Sequence, residues 1–88
     1  MKIVTISVAQ DDIDCGDRFQ CGHCPLAIAM TRTLGRQVHV WGEWEFVDEN
    51  DDVNAPLRKL PGIAHKWMGD FDHGVPVQPF EFELEVAA

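Results

Sequence analysis

The chain has 88 residues, 45% of them hydrophobic and 25% charged, which excludes a disordered protein and favours one folded domain over residues 1–88. A domain of this size buries about 60–65% of the surface of its unfolded chain. The formal net charge of −8 disfavours direct binding to nucleic acid or to an anionic membrane, so the better partner is a protein with a basic surface or one without charge at the contact.

The sequence also bears on where the protein works. No apolar run approaches the roughly 20 residues of a membrane-spanning helix. Met1 and Lys2 lead directly into a β-like run, so we expect no signal peptide and a cytoplasmic location. The three cysteines are an odd number, which argues against a closed set of disulfides.

Residues 2 to 8 predict a half-buried strand. Its apolar side chains alternate with hydroxyl side chains, as Val4, Ile6 and Val8 do with Thr5 and Ser7. Residues 9 to 20 contain Gly16 and several aspartates, and this composition predicts a polar, solvated loop. The aspartates are Asp11, Asp12, Asp14 and Asp17.

The next segment predicts a helix that begins at a Cys-x-x-Cys sequence. Pro25 suits the first helical position, which makes Cys24 the N-cap, and Gly35 suits a left-handed residue after the helix. One face of the helix is apolar or small at helical spacing. Its members are Leu26, Ala27, Met30, Thr31 and Leu34.

Residues 38 to 47 predict two strands joined near Gly42 in a hairpin. Val38 and Val40 alternate with polar or aromatic neighbours, and so do Trp44 and Phe46. One bulged strand through residue 47 is the alternative; its turn would span residues 48–52 and its partner strand would start at Val53.

A second amphipathic helix and a final strand complete the chain. The helix has Pro61 near its start and Gly74 after its end, and its apolar residues are Leu57, Leu60, Ile63, Ala64, Trp67, Met68 and Phe71. In the strand, apolar and acidic residues alternate without exception. The apolar residues are Phe80, Phe82, Leu84 and Val86, and the acidic residues between them are Glu81, Glu83 and Glu85.

The order strand, helix, strand, strand, helix, strand predicts an α+β fold. We expect one four-stranded antiparallel sheet with two helices on one face, the βαββαβ or ferredoxin-like arrangement. The open face of that sheet would be acidic. Its carboxylates would be Glu43, Glu45, Glu81, Glu83 and Glu85.

Three sequence patterns carry a family resemblance over roughly the last three quarters of the chain. They are Cys21-x-x-Cys24-Pro25-Leu26-Ala27-x-Ala29, Leu60-Pro61, and Phe71-Asp72-x-Gly74-x-Pro76-Val77-x-Pro79-Phe80-x-Phe82-x-Leu84. The chain resembles a group of small proteins encoded by actinobacteria and their phages. The resemblance implies a setting rather than a mechanism: a phage or prophage accessory protein that binds one protein of the host cell.

The cysteines suggest two kinds of chemistry. A Cys-x-x-Cys pair supplies two zinc ligands, and the candidates for a full set are Cys15, Cys21, His23 and Cys24, with His65, His73 or a second chain as further sources. The spacing also fits a thiol–disulfide pair. In that mechanism, however, the first cysteine caps the helix, and Pro25 would then fall at the fourth helical position and remove a backbone hydrogen bond. The alternative is that Cys21 and Cys24 are small, partly buried residues with only a structural role in the loop and at the start of the helix.

Together these observations predict a small cytoplasmic protein without catalytic activity or a required cofactor. We expect it to bind a basic host protein, such as a defence or nucleic-acid-binding factor, through the acidic face, or to bind a second copy of itself as a homodimer. The alternative is a zinc-binding or thiol-redox domain centred on Cys21 and Cys24.

Overall fold

The computed structural model describes residues 2–49, 55 and 57–87, which form an α+β fold. The elements in chain order are β1 (Lys2–Val8), α1 (Gln10–Cys15), α2 (Pro25–Leu34), β2 (Val38–Val40), β3 (Glu43–Phe46), β4 (Arg58–Lys59), α3 (Gly62–Asp72) and β5 (Phe80–Val86). A short 3₁₀ turn, Val47–Glu49, follows β3.

The strands form two antiparallel sheets, so the prediction of a single four-stranded sheet is wrong. β1 pairs with β5 over seven residues, from Lys2 opposite Val86 to Val8 opposite Phe80. The second sheet has the order β2-β3-β4. In a ferredoxin-like fold β1 would lie beside β3, but here β4 pairs with that edge of β3, which keeps the two sheets separate.

The alternation predicted for the first and last strands is confirmed. Ile6 and Val8 of β1 are buried, as are Phe82, Leu84 and Val86 of β5. The hairpin is confirmed as well, since β2 pairs with β3 in the register Val38 to Phe46. Val53, which the alternative interpretation made the start of a strand, lies outside the described residues.

The ends of α2 are as predicted. Cys24 is the N-cap, its Sγ accepts a hydrogen bond from the Ala27 N–H at 3.4 Å, and Pro25 is the first helical residue. Gly35 ends the helix with φ of 75°, a conformation that glycine adopts without the steric cost a side chain would bring.

The polar loop predicted for residues 9 to 20 contains a helix, α1, and Asp12 within it is only 3% exposed. Its carboxylate accepts hydrogen bonds from Arg32 Nη1 at 2.6 Å, from Arg32 Nη2 at 2.8 Å and from the Ala9 N–H at 2.8 Å. The Arg32 hydrogen bonds are the main reason that the pKa of Asp12 is lowered, while burial opposes them. A single aspartate therefore caps α1 and fixes it to α2.

The second long helix begins later than predicted. Leu57 and Leu60 precede it, because Arg58 and Lys59 between them pair with β3 and Pro61 is the N-cap of α3. Ala64, Met68 and Phe71 are buried as expected, whereas Ile63 is 63% exposed. The ring of Trp67 stacks on those of Phe71 and Phe80, and this contact holds the helix against β5.

Candidate functional site

The outer side of the β1–β5 sheet is a continuous exposed surface, which we call the acidic outer face. It consists of the side chains that point away from the core: Ile3, Thr5, Ser7, Glu81, Glu83 and Glu85. Each glutamate lies opposite a small or apolar residue of β1, and the Ser7 hydroxyl donates a hydrogen bond to Glu81 Oε2 at 3.0 Å. Side chains two residues apart on a strand are separated by about 7 Å, so β5 presents three carboxylates in a row.

Two predicted members of this surface lie elsewhere. Glu43 and Glu45 belong to β3, in the other sheet, and are only partly exposed. Glu43 lies opposite Lys59 and Glu45 lies opposite His39 in the strand register. The five carboxylates expected on one open face are therefore divided between two sheets. The row on the acidic outer face consists of the three β5 glutamates.

The Cys-x-x-Cys segment borders a cleft of about 250 Å³, which we call the cysteine cleft. Its lining residues are Phe19, Gln20, Cys21, Cys24, Val40, Trp41, Gly42, Met68 and Asp72. The Cys21 carbonyl accepts a hydrogen bond from the Val40 N–H at 2.8 Å, which ties the segment to β2. The Phe19 N–H donates to Asp72 Oδ1 at 3.0 Å, which ties it to α3.

The thiols differ in their surroundings. Cys15 and Cys21 are exposed and free, while Cys24 is free and buried. Burial is the largest influence on the Cys24 thiol and raises its pKa, and the charge of Asp72 acts in the same direction. Cys24 is therefore a protonated thiol at neutral pH, and of the two cysteines in the sequence pair Cys21 is the one that solvent reaches.

The predicted metal ligands do not converge on one point. His23 Nδ1 lies 3.0 Å from Asp17 Oδ2, and the Asp17 N–H donates to the His23 carbonyl at 2.8 Å. Gly22 is packed so closely that a Cβ there would lie 2.9 Å from the His39 ring. Across residues 2–49, 55 and 57–87, no group of three or more His, Cys, Asp or Glu side chains is placed to hold a metal ion.

A third feature was not predicted: a groove of about 750 Å³ beside β5, which we call the β5 groove. Residues of β5 line one side and the segment that leads into α3 lines the other. The lining residues are Arg58, Lys59, Leu60, Pro61, Gly62, Glu83, Leu84, Glu85 and Ala87. The groove is lined by residues of both sheets, which lie far apart in the chain, so the sequence carries no local signal for it.

In comparisons with known proteins, the chain matches no family model, no curated protein and no solved structure. Among the helices in the described part of the chain, none combines the length and apolar character needed to cross a bilayer.

Proposed function

We propose that the protein is a small non-catalytic binding module whose acidic outer face docks on a basic surface of another protein. The observation that carries the proposal is the row of exposed carboxylates at Glu81, Glu83 and Glu85. Complementary charge at such a surface speeds encounter and selects the partner.

The row is held rigidly, which favours a binding role. The opposite side of β5 is anchored in the core by Phe82, Leu84 and Val86, and the strand is paired with β1 along its length. This packing fixes the backbone positions from which the three glutamate side chains extend. Because the charges are arranged before binding, docking requires little additional ordering of the backbone.

The resemblance to small proteins of actinobacteria and their phages supplies the setting of the proposal. A phage or prophage protein with this surface would act in the cytoplasm and occupy the basic surface of a host factor, such as one that binds nucleic acid or takes part in defence. The net charge of −8 fits that role, because a strongly acidic protein is itself repelled by nucleic acid.

The test is retention of basic proteins from a host lysate by the immobilised protein. The variant Glu81→Gln/Glu83→Gln/Glu85→Gln should release the retained protein, because it removes the charged row. The matched control makes the same change in net charge outside the β1–β5 sheet, in α1 and the segment after it: Asp11→Asn/Asp14→Asn/Asp17→Asn, at three exposed positions. Retention by the glutamate variant, or equal release by both variants, would contradict a specific acidic site.

A second proposal, a zinc-binding or thiol-active domain, is supported by the position of Cys21 and Cys24 on one cleft. Zinc would need further ligands, with Cys15, His23 or a second chain as the sources proposed from the sequence. Elemental analysis together with the mass in solution tests it. About one zinc per chain or per dimer supports it, while three titratable thiols without metal favour the binding module.

A further inference from the structure

We propose that the β5 groove receives an extended segment of the partner protein, which pairs with the open edge of β5 and carries basic side chains at alternate positions. This inference rests on the proposed function and specifies the form of the partner at the same site. It combines an unpaired strand edge, a groove beside that edge and the charges along it.

β5 has one edge that no described strand covers. Within the described ranges β5 pairs with β1 alone, and β4 pairs with β3 alone. In an antiparallel pair, alternate residues direct their N–H and C=O groups away from the partner strand. One edge of β5 therefore presents backbone donors and acceptors to a further strand, which is the arrangement used in recognition by strand addition.

The β5 groove lies beside that edge. Glu83, Leu84 and Glu85 line one wall of the β5 groove, and Leu60 and Pro61 lie on the other side. The volume of about 750 Å³ is enough for several side chains of an extended peptide. Because Leu60 and Leu84 are apolar, the side chains that enter the groove should be aliphatic.

The charges along β5 select a basic occupant. A strand added beside β5 would place alternate side chains on the acidic outer face, next to Glu81, Glu83 and Glu85. Opposite charges at neighbouring positions of paired strands stabilise the pair, and like charges destabilise it. Lys or Arg at those positions, with aliphatic residues between them, therefore matches both sides of the new strand.

The same reasoning disfavours a second copy of this chain as the occupant. If β5 paired with β5 of another copy, two rows of glutamates would lie side by side on one face, with like charges adjacent. On the far wall, Lys59 lies opposite Glu43 and Arg58 is ion-paired with Glu49 at 3.0 Å. The charges of that wall thus have acidic neighbours of their own, and the β5 glutamates determine the chemistry of the occupant.

The test uses a labelled seven-residue peptide that alternates lysine and valine, and a second peptide with the same side chains but N-methylated backbone amides. Binding to the intact protein is measured by fluorescence anisotropy. We expect at least a tenfold loss of affinity on methylation, because the methylated peptide keeps its charges but cannot donate backbone hydrogen bonds. Failure of the first peptide to bind, or equal affinity of the two, would overturn strand addition.

A protein variant tests the groove separately. Gly62 lines it, and a Cβ at that position meets nothing within 4 Å, so Gly62→Trp should fold and obstruct the groove. Gly69→Trp on the same helix is the control, because a Cβ there also meets no atom within 4 Å and the residue does not line the groove. We expect the lysine–valine peptide to bind Gly62→Trp about tenfold more weakly than the unsubstituted protein and to bind Gly69→Trp with unchanged affinity. The circular dichroism of both variants should be unchanged. Equal affinity of the two variants would overturn the proposal.

The glutamate variant separates this inference from the proposed function. If Glu81→Gln/Glu83→Gln/Glu85→Gln weakens both peptides equally and methylation has no effect, the acidic outer face binds but strand addition is wrong. If both peptides bind and the variant weakens neither, the glutamates do not recognise basic side chains, and the proposed function and this inference both fail.

Discussion

Replacement of Asp12 by asparagine should destabilise the protein by about 2 kcal/mol at pH 7. The carboxylate accepts two hydrogen bonds from Arg32 and one from the Ala9 N–H, and hydrogen bonds that involve a charged group contribute about 1.5–3 kcal/mol. Loss of one partner of a fully buried ion pair costs about 3–5 kcal/mol. The Arg32 side chain is 53% exposed, so water can solvate it in the variant. The loss of stability is therefore smaller than for a fully buried ion pair.

The same substitution predicts how stability depends on pH. Because the pKa of Asp12 is lowered in the folded state, its contribution is complete above the unfolded pKa of about 4 and is lost as the pH falls through the folded value. The difference in unfolding free energy between the protein and Asp12→Asn should therefore be constant from pH 7 to 5 and shrink below about pH 4.

Urea denaturation followed by circular dichroism measures this difference at each pH. At neutral pH the melting temperature should fall by roughly 8–16 °C, since about 1 kcal/mol corresponds to 4–8 °C in a domain of this size. Asp14→Asn is the control, because Asp14 is exposed and bonded only to Gln10 Nε2 among the described contacts, so its effect should stay within about 0.5 kcal/mol. A loss below about 0.5 kcal/mol for Asp12→Asn at pH 7, or a difference that does not shrink as the pH falls below about 4, would refute the reasoning.

Two further predictions concern the helices and the thiols. Gly69→Ala should stabilise the protein by about 0.5–1 kcal/mol in urea, because alanine has a higher helix propensity than glycine and, apart from the adjacent helix backbone, a Cβ there meets nothing within 4 Å. Gly35→Ala, at φ of 75°, should destabilise it by about 1 kcal/mol; the opposite order of the two variants would contradict the assigned backbone conformations. With iodoacetamide at pH 8, Cys15 and Cys21 should be alkylated in the folded protein, while burial and its raised pKa protect Cys24 until urea is added. Mass spectrometry of the peptides checks this, and early modification of Cys24 would show that its burial is wrongly assigned.

The features predictable from the sequence are those set by neighbours in the chain. The start of α2 at Cys24 and Pro25 and its end at Gly35 depend on local backbone preferences. The two faces of β5 follow from strict alternation over seven residues. For the same reason the sequence placed Glu81, Glu83 and Glu85 correctly on the side away from the core.

The features that could not be predicted depend on contacts between distant residues. α1 is short and rich in aspartate, and the buried state of Asp12 requires Arg32, which follows 20 positions later. β4 has only Arg58 and Lys59, too few residues for a periodic pattern, yet its pairing with β3 divides the sheet. The β5 groove is lined by residues of β4 and β5, which belong to different sheets and lie far apart in the sequence.

Hydrogen exchange at the amides of β5 tests the central claim most directly, with the protein measured alone and bound to the basic partner recovered by the retention experiment. In the free protein, alternate amides of Phe80–Val86 should exchange quickly because they face away from β1. We predict that the partner slows these amides and leaves those of residues 19–24 and 40–42, at the cysteine cleft, unchanged. Protection confined to the cysteine cleft, with β5 exchanging as before, would contradict the account.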